Sequence, residues 1–558
     1  MLLLLAAAAC GGGNSASEGS YPTGGGASAD AGAGGGVSFG GAQDFGQFRQ
    51  ILDQGGIPGP DTLDANGFFN EHYAPPPTTT CTDTLCMTPG VAVGRAWLDG
   101  THQAALQLAV DTNVDPTQYT RLPMNLVVVV DHSGSMWDQN KMVYVKQGLS
   151  TLVDNLQDGD HLALVQFDDT ADVLWSLSQP LDRAQLHTVV DGLTPRGGTN
   201  IYDGLQTGFN LSASALASDH QNRVIFLSDG MATVGNTDTA AIITMADGYV
   251  SRGIGLTTVG VGSDFDVELM RGLAEHGAGN FYFLEDASAA TEVFMQELDY
   301  FLTPLALDLH VDAVAGPGYD FGEVVGSTLW QSTTRAGSMS IPAVFVASRT
   351  SPGPDPGTGG RRGGGSMLFI ALQPNGMNDS AGKVADLTLT YRLPGSGQVV
   401  TQTVTLAYPA NPTDTPDPPY LSAPEMAPRF AMYNMFLGFR YATQQQPDCA
   451  AAGLTATRAA AAAWNQTHEN PDIASDLTYV DKYLANLKAY QYQSEPTLAT
   501  CAQAGPTGSG GYGSDWGSGD YYGGDYEGGD GACSAGGSPR ALALVALGLV
   551  VALRRRRR

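Results

Sequence analysis

"NLVVVVDHSGSM", residues 125–136, carries an apolar run with no alternation, ended abruptly by an aspartate and two serines. A strand that is apolar at every position is one buried on both faces, as in a parallel sheet covered by helices. A turn needs one or two polar residues, yet Asp131, Ser133 and Ser135 place three side-chain oxygens at alternate positions. Oxygens spaced this way on a strand-to-helix turn can converge on one point. That is the arrangement for a hard cation such as Mg²⁺, with water completing its shell.

The pattern repeats outward from this stretch. Between Met124 and Tyr300, short apolar runs recur at 126–130, 162–167, 224–227, 256–261 and 281–284. Segments of helical periodicity, such as "KMVYVKQGLSTLVDNL", lie between most of them. Strand–helix alternation predicts an α/β fold with a doubly wound, mostly parallel sheet. Ligands of such sheets bind beyond the carboxyl ends of the strands. Two further oxygen donors fall at that edge: Thr199, in "PRGGTNIYDG" just before a helix, and Asp229, which closes the strand in "VIFLSDGM".

Asp131-x-Ser133-x-Ser135 with Thr199 and Asp229 resembles the metal-ion-dependent adhesion site of the von Willebrand factor type A domain, with all five positions filled. The resemblance implies a Rossmann-like domain. The serines and the threonine would bind Mg²⁺, Mn²⁺ or Ca²⁺, with the aspartates joining directly or through water. It also implies a protein partner whose acidic side chain takes the open metal position. The expected function is therefore binding, not turnover. A metal-dependent hydrolase is the alternative, but the metal loop offers no general base beyond Asp131 and Asp138. A structural envelope protein with a vestigial site is the third reading.

Other candidates carry less. Asp168, Asp169 and Asp172 in "QFDDTADV" could form a second cation site, though a solvated loop explains them more simply. His161 and His276 have no partner at ligand spacing, and "THENPD" lacks the second histidine of a zinc-protease helix. "GVSFG" is formally GxSxG, but its surroundings do not read as the strand and helix of a nucleophile elbow.

The expected organisation is a lipoprotein-type signal (1–10), a flexible Gly-rich tether (11–44), an N-terminal helical and strand region (45–122) and the α/β domain (123–301). A β-sandwich-like region (302–410), a Pro-rich linker (411–427) and a small helical region (428–500) follow. A Gly/Asp/Tyr-rich spacer (501–532) and a C-terminal sorting or anchor tail (533–558) complete the chain. The flanks resemble those of bacterial multidomain type A proteins, with Phe69 and Glu71 fitting an N-terminal helical stretch of such relatives.

The two ends read as addresses. "MLLLLAAAAC" resembles a bacterial lipoprotein signal with Cys10 as the lipidated residue; an ordinary signal peptide is the alternative. At the other end, the apolar run 541–553 would make roughly 20 Å of helix, short of a hydrocarbon core of about 30 Å. Cys533, that run and the final arginines together resemble a MYXO-CTERM sorting tail, against the simpler reading of a tail anchor. Membrane attachment through the N-terminal lipid, the tail or both, and a location in the cell envelope, outer membrane or cell surface, follow as expectations.

Setting Cys10 and Cys533 aside leaves Cys81, Cys86, Cys449 and Cys501, which allow three pairings. Cys81–Cys86 and Cys449–Cys501 are favoured, in an oxidising compartment. Net charge is −29, from 27 basic and 56 acidic residues, which argues against nucleic acid as a partner.

Overall fold

The computed structural model describes residues 36–501, apart from 76, 78–80, 115–121, 263–264, 285–292, 295–303, 348–365, 378–381, 395, 490–497 and 499–500. The proposed signal with Cys10, most of the tether, and the spacer and tail with Cys533 lie outside the described residues.

The α/β domain follows the strand–helix alternation. Its elements are β6 (Met124–Asp131), α3 (Lys141–Asn155), β7 (His161–Phe167), β8 (Ala171–Trp175), α4 (Arg183–Asp191) and α5 (Ile201–Ser214). Then come β9 (Gln221–Ser228), α6 (Thr239–Val250), β10 (Gly255–Val261), α7 (Val267–His276) and β11 (Asn280–Leu284). The strands order as β11-β10-β9-β6-β7-β8, parallel except for β8, which runs antiparallel to β7.

β6 lies at the centre, and all of its residues are buried. This accounts for the valine run, because successive side chains of a strand point to opposite faces. Val128 and Val130 pack with Leu149 and Leu152 of α3 and Leu186 of α4. Val127 and Val129 pack with Leu205 and Phe209 of α5 and Leu273 of α7.

The flanking segments form the second part of the fold. Before the α/β domain come β1 (Gly36–Ser38), β2 (Gly41–Ala42), α1 (Gly46–Asp53), α2 (Ala65–Glu71), β3 (Cys86–Met87), β4 (Gly90–Arg95) and β5 (His102–Asp111). After it come β12 (Pro304–Ala315), β13 (Tyr319–Val325), β14 (Gln331–Ser332), β15 (Ala336–Ala347), β16 (Met367–Pro374), β17 (Lys383–Arg392), β18 (Val399–Ala407) and β19 (Tyr420–Leu421). Three helices end the described chain: α8 (Met426–Thr443), α9 (Pro447–His468) and α10 (Pro471–Ala489).

These segments do not make separate units. β5 pairs with β16, and β1 pairs with β15, within one 12-stranded sheet ordered β13-β16-β5-β1-β15-β12-β17-β18. The sheet folds over a shared core in which Leu106, Leu368 and Ile370 meet Val311, Ile341 and Leu389. The alternate residues Ala105 and Phe369 face the other way. They pack against a layer where Phe48 and Phe68 of α1 and α2 meet Phe436, Phe439 and Tyr483 of α8 and α10. The α/β domain is thus inserted between β5 and β12 of a structure built from both flanks.

Residues 37–43, which the sequence reading places in the tether, are buried in the fold. Val37 and Phe39 are buried, β1 joins the large sheet, and β2 adds in parallel to the edge of the α/β sheet beside β11. A few residues therefore bond to both sheets. Gly40, with φ +84°, makes the turn between them, and a Cβ there would fall 2.7 Å from the Gly279 carbonyl.

The disulfides are Cys81–Cys86 and Cys449–Cys501, as favoured. Among the described residues, no helix is long and apolar enough to cross a membrane.

Candidate metal centre

The five oxygen-bearing residues come from three loops at one edge of the α/β sheet. Asp131 ends β6 and is fully buried. Its Oδ1 accepts a hydrogen bond from the Ser133 amide at 2.8 Å, and its Oδ2 accepts one from the Ser228 hydroxyl at 2.6 Å. The Ser133 and Ser135 hydroxyls lie 3.0 Å apart, and Ser135 donates to Asp229 Oδ1 at 2.8 Å. Ser135 has one proton, so Ser133 donates to Ser135 in turn. The result is a relay of hydroxyls ending on a carboxylate, with lone pairs left on both serine oxygens.

Thr199 arrives from the loop before α5. The Gly134 amide donates to the Gly197 carbonyl at 3.1 Å, the Arg196 amide to the His132 carbonyl at 2.6 Å, and the His132 Nδ1–H to the Thr194 carbonyl at 3.0 Å. On the other side, the Thr199 carbonyl accepts from the Thr233 amide at 2.9 Å. A Cβ placed on Gly230 would sit 3.7 Å from both the Ser135 and the Thr199 hydroxyl, so both oxygens face the same space.

Burial pushes the Asp131 carboxyl up to about 6; hydrogen bonds from Ser228 and Ser133 oppose the rise, and the Asp229 charge adds to it. Two neighbouring carboxylates, both held away from water, form a place where a cation is favoured. Lys141, the first residue of α3, supplies one: its buried ammonium donates to Asp229 Oδ2 at 2.8 Å. The remaining donors, carboxylate and hydroxyl oxygens, are the hard ligands that Mg²⁺ and Ca²⁺ take. The residues present therefore fit a divalent cation. Among the described residues, no three His, Cys, Asp or Glu side chains cluster as a metal site.

A family model described as the von Willebrand factor type A domain matches residues 125–296, the span of the inserted domain. The inserted domain is a von Willebrand factor type A (VWA) domain. Domains of this family often hold a divalent metal and mediate protein–protein interactions. Over 214 residues the chain is 27% identical to protein YfbK of Escherichia coli, covering 38% of this chain and 37% of that protein. Over 197 residues it is 30% identical to protein sll0103 of Synechocystis, covering 35% of this chain and 46% of that one. The chain therefore spans less than half the length of either relative. Among solved structures, a von Willebrand factor type A protein from Catenulispora acidiphila aligns with TM-score 0.45 at 15% identity, over 70% of this chain and 89% of that one.

The other candidates have structural partners. Asp168 is not solvated as expected: its carboxylate is buried and accepts from Arg196 Nε at 2.8 Å, which ties the end of β7 to the Thr199 loop. Asp169 accepts from the Gly198 amide at 3.1 Å, and Asp172 is exposed. His161 opens β7 and bonds Asn125, while His276 ends α7 beside Asp247. Reading the sequence missed Lys141 and Ser228. A signal existed for Lys141, because a lysine in the first turn of a helix opposes the macrodipole and so calls for a carboxylate elsewhere.

Proposed function

We propose that this chain is an exported cell-surface protein whose VWA domain binds a protein partner through a divalent metal held by Asp131, Ser133, Ser135, Thr199 and Asp229. The observation that carries the reading is the convergence of three loops, with the Ser133–Ser135–Asp229 relay beside the buried Asp131. A bound Mg²⁺, Mn²⁺ or Ca²⁺ would supply an open coordination position for an acidic side chain of the partner. This chain's own residues do the rest. Asp131 offers charge, the hydroxyls offer neutral oxygens, and Ser228 and the Ser133 amide hold Asp131 in one orientation. Export agrees with both disulfides, which persist in oxidising compartments. Attachment through Cys10 and sorting at Cys533 belong to the same proposal.

Thermal unfolding with Mg²⁺ and with EDTA tests the metal. Binding to the folded state raises its stability, so Mg²⁺ is expected to raise the Tm of the wild-type chain. Asp131→Asn keeps the shape, removes the charge and is expected to lose that response while staying folded in EDTA. An unchanged Mg²⁺ response in the variant would show that Asp131 is no ligand.

A further inference from the structure

We infer that the partner's docking element is an acidic residue flanked by apolar or aromatic ones, seated between Trp137 and Met231 at the rim of the metal centre. The inference rests on the metal-bridged reading above and specifies what surrounds the bridging carboxylate.

Trp137 is 72% exposed and Met231 62% exposed, although both are large and apolar. They come from different loops, and each stands two positions from a centre residue: Trp137 after Ser135, Met231 after Asp229. Neither joins the clusters that fill the two faces of the VWA sheet. Aromatic residues and methionine are enriched in protein interfaces, and tryptophan is prominent among the residues that dominate binding energy. A flexible thioether also adapts to an apolar partner surface.

Charge selects the occupant. Lys141 offsets one of the two carboxylates, so a divalent cation leaves the centre one unit positive, complementary to a single carboxylate. Arg196, on the adjacent loop, adds nothing to this balance, because Asp168 already offsets it at 2.8 Å. The chain as a whole carries −29, which gives an acidic partner no long-range attraction. Affinity must then arise at contact, from the metal bond and from the apolar surface that the partner covers. A carboxylate between polar neighbours would use only the first of these; one between apolar neighbours uses both.

The test selects a random-peptide display library on the immobilised full chain in Mg²⁺ and elutes with EDTA. The expected eluate carries Asp or Glu beside aromatic or large aliphatic residues. A synthetic copy of the leading peptide is then measured against the wild type and a Trp137→Ser/Met231→Ser double variant. Both positions are exposed, so the variant should fold and bind Mg²⁺ as before, while its affinity for the peptide falls by about tenfold or more. EDTA-eluted acidic peptides with polar neighbours, or equal peptide affinity in the double variant, would overturn the apolar rim and leave the metal bridge standing. Peptides retained equally in Mg²⁺ and EDTA would instead overturn the metal bridge, and this inference with it.

Discussion

Lys141 is where the centre departs most from a set of bare ligands. Its ammonium lies 2.8 Å from Asp229 Oδ2, with both side chains buried, and its Cε passes 2.5 Å from where a Cβ on Gly262 would stand. A glycine at 262 is what lets the lysine reach through. The pair leaves Asp229 engaged on both oxygens, Ser135 on one and Lys141 on the other. Both Asp131 oxygens also accept hydrogen bonds, but from the neutral Ser133 amide and Ser228 hydroxyl, so those partners leave its charge to give. Removing one member of a buried ion pair typically costs about 3–5 kcal/mol, because the other charge is left uncompensated. Lys141→Met is therefore expected to lower stability in EDTA by that order. Added Mg²⁺ should recover part of the loss, so its effect on Tm should exceed that in the wild type. Equal stability of the two proteins in EDTA would mean that Lys141 is not the internal counter-ion of the site.

The elements that carry the centre depend on close backbone approach. α5 lies on β6, and a Cβ at Gly208 would fall 2.4 Å from Val129 Cγ2. Overpacking of this kind typically costs about 1–3 kcal/mol. Gly208→Ala should destabilise by that amount in urea unfolding. Gly248→Ala should stabilise by roughly 0.5–1 kcal/mol, since alanine is the better helix former. Gly248 lies in α6 and is exposed, with nothing within 4 Å of its missing Cβ. Loss of stability in both variants alike would contradict the packing described. The same elements mark what the sequence made legible. β6, its parallel neighbours and the edge where Asp131, Thr199 and Asp229 meet are signalled by local patterns: apolar runs, helical spacing and polar strand ends. β1 is three residues in a Gly-rich stretch, and its partner β15 lies about three hundred residues away. No local periodicity encodes that pairing. Lys141 escaped for a similar reason, as its partner is 88 positions distant.

At the scale of the whole molecule, the flanks must close around the inserted VWA domain, and His72 marks one point of closure. It follows α2, and its ring is buried. Nδ1 faces the Phe68 carbonyl, while Nε2 lies 2.8 Å from Asp476 Oδ2 on α10, 404 positions along the chain. Asp472, one helical turn away, accepts from the Tyr73 amide at 2.7 Å. Burial alone would lower the His72 pKa. The Asp476 carboxylate, aided by Asp472 and the Phe68 carbonyl, overcomes this and pushes it up to about 9. A raised base stabilises the fold fully below its ordinary pKa of about 6.5, and the contribution is lost as pH rises through about 9. Asp131 and Glu275, raised by burial to about 6 and about 7, have largely lost their protons below the upper part of that window. The wild-type chain is therefore expected to lose about 2 kcal/mol of unfolding free energy between about pH 7.5 and pH 9.5. In Asp476→Asn the histidine no longer faces that charge, and most of this loss should vanish, leaving a variant weaker at pH 7.5 and closer to the wild type at pH 9.5. Urea unfolding at both pH values reads the difference. Parallel pH profiles for the two proteins would show that the clamp between α2 and α10 does not depend on a charged His72.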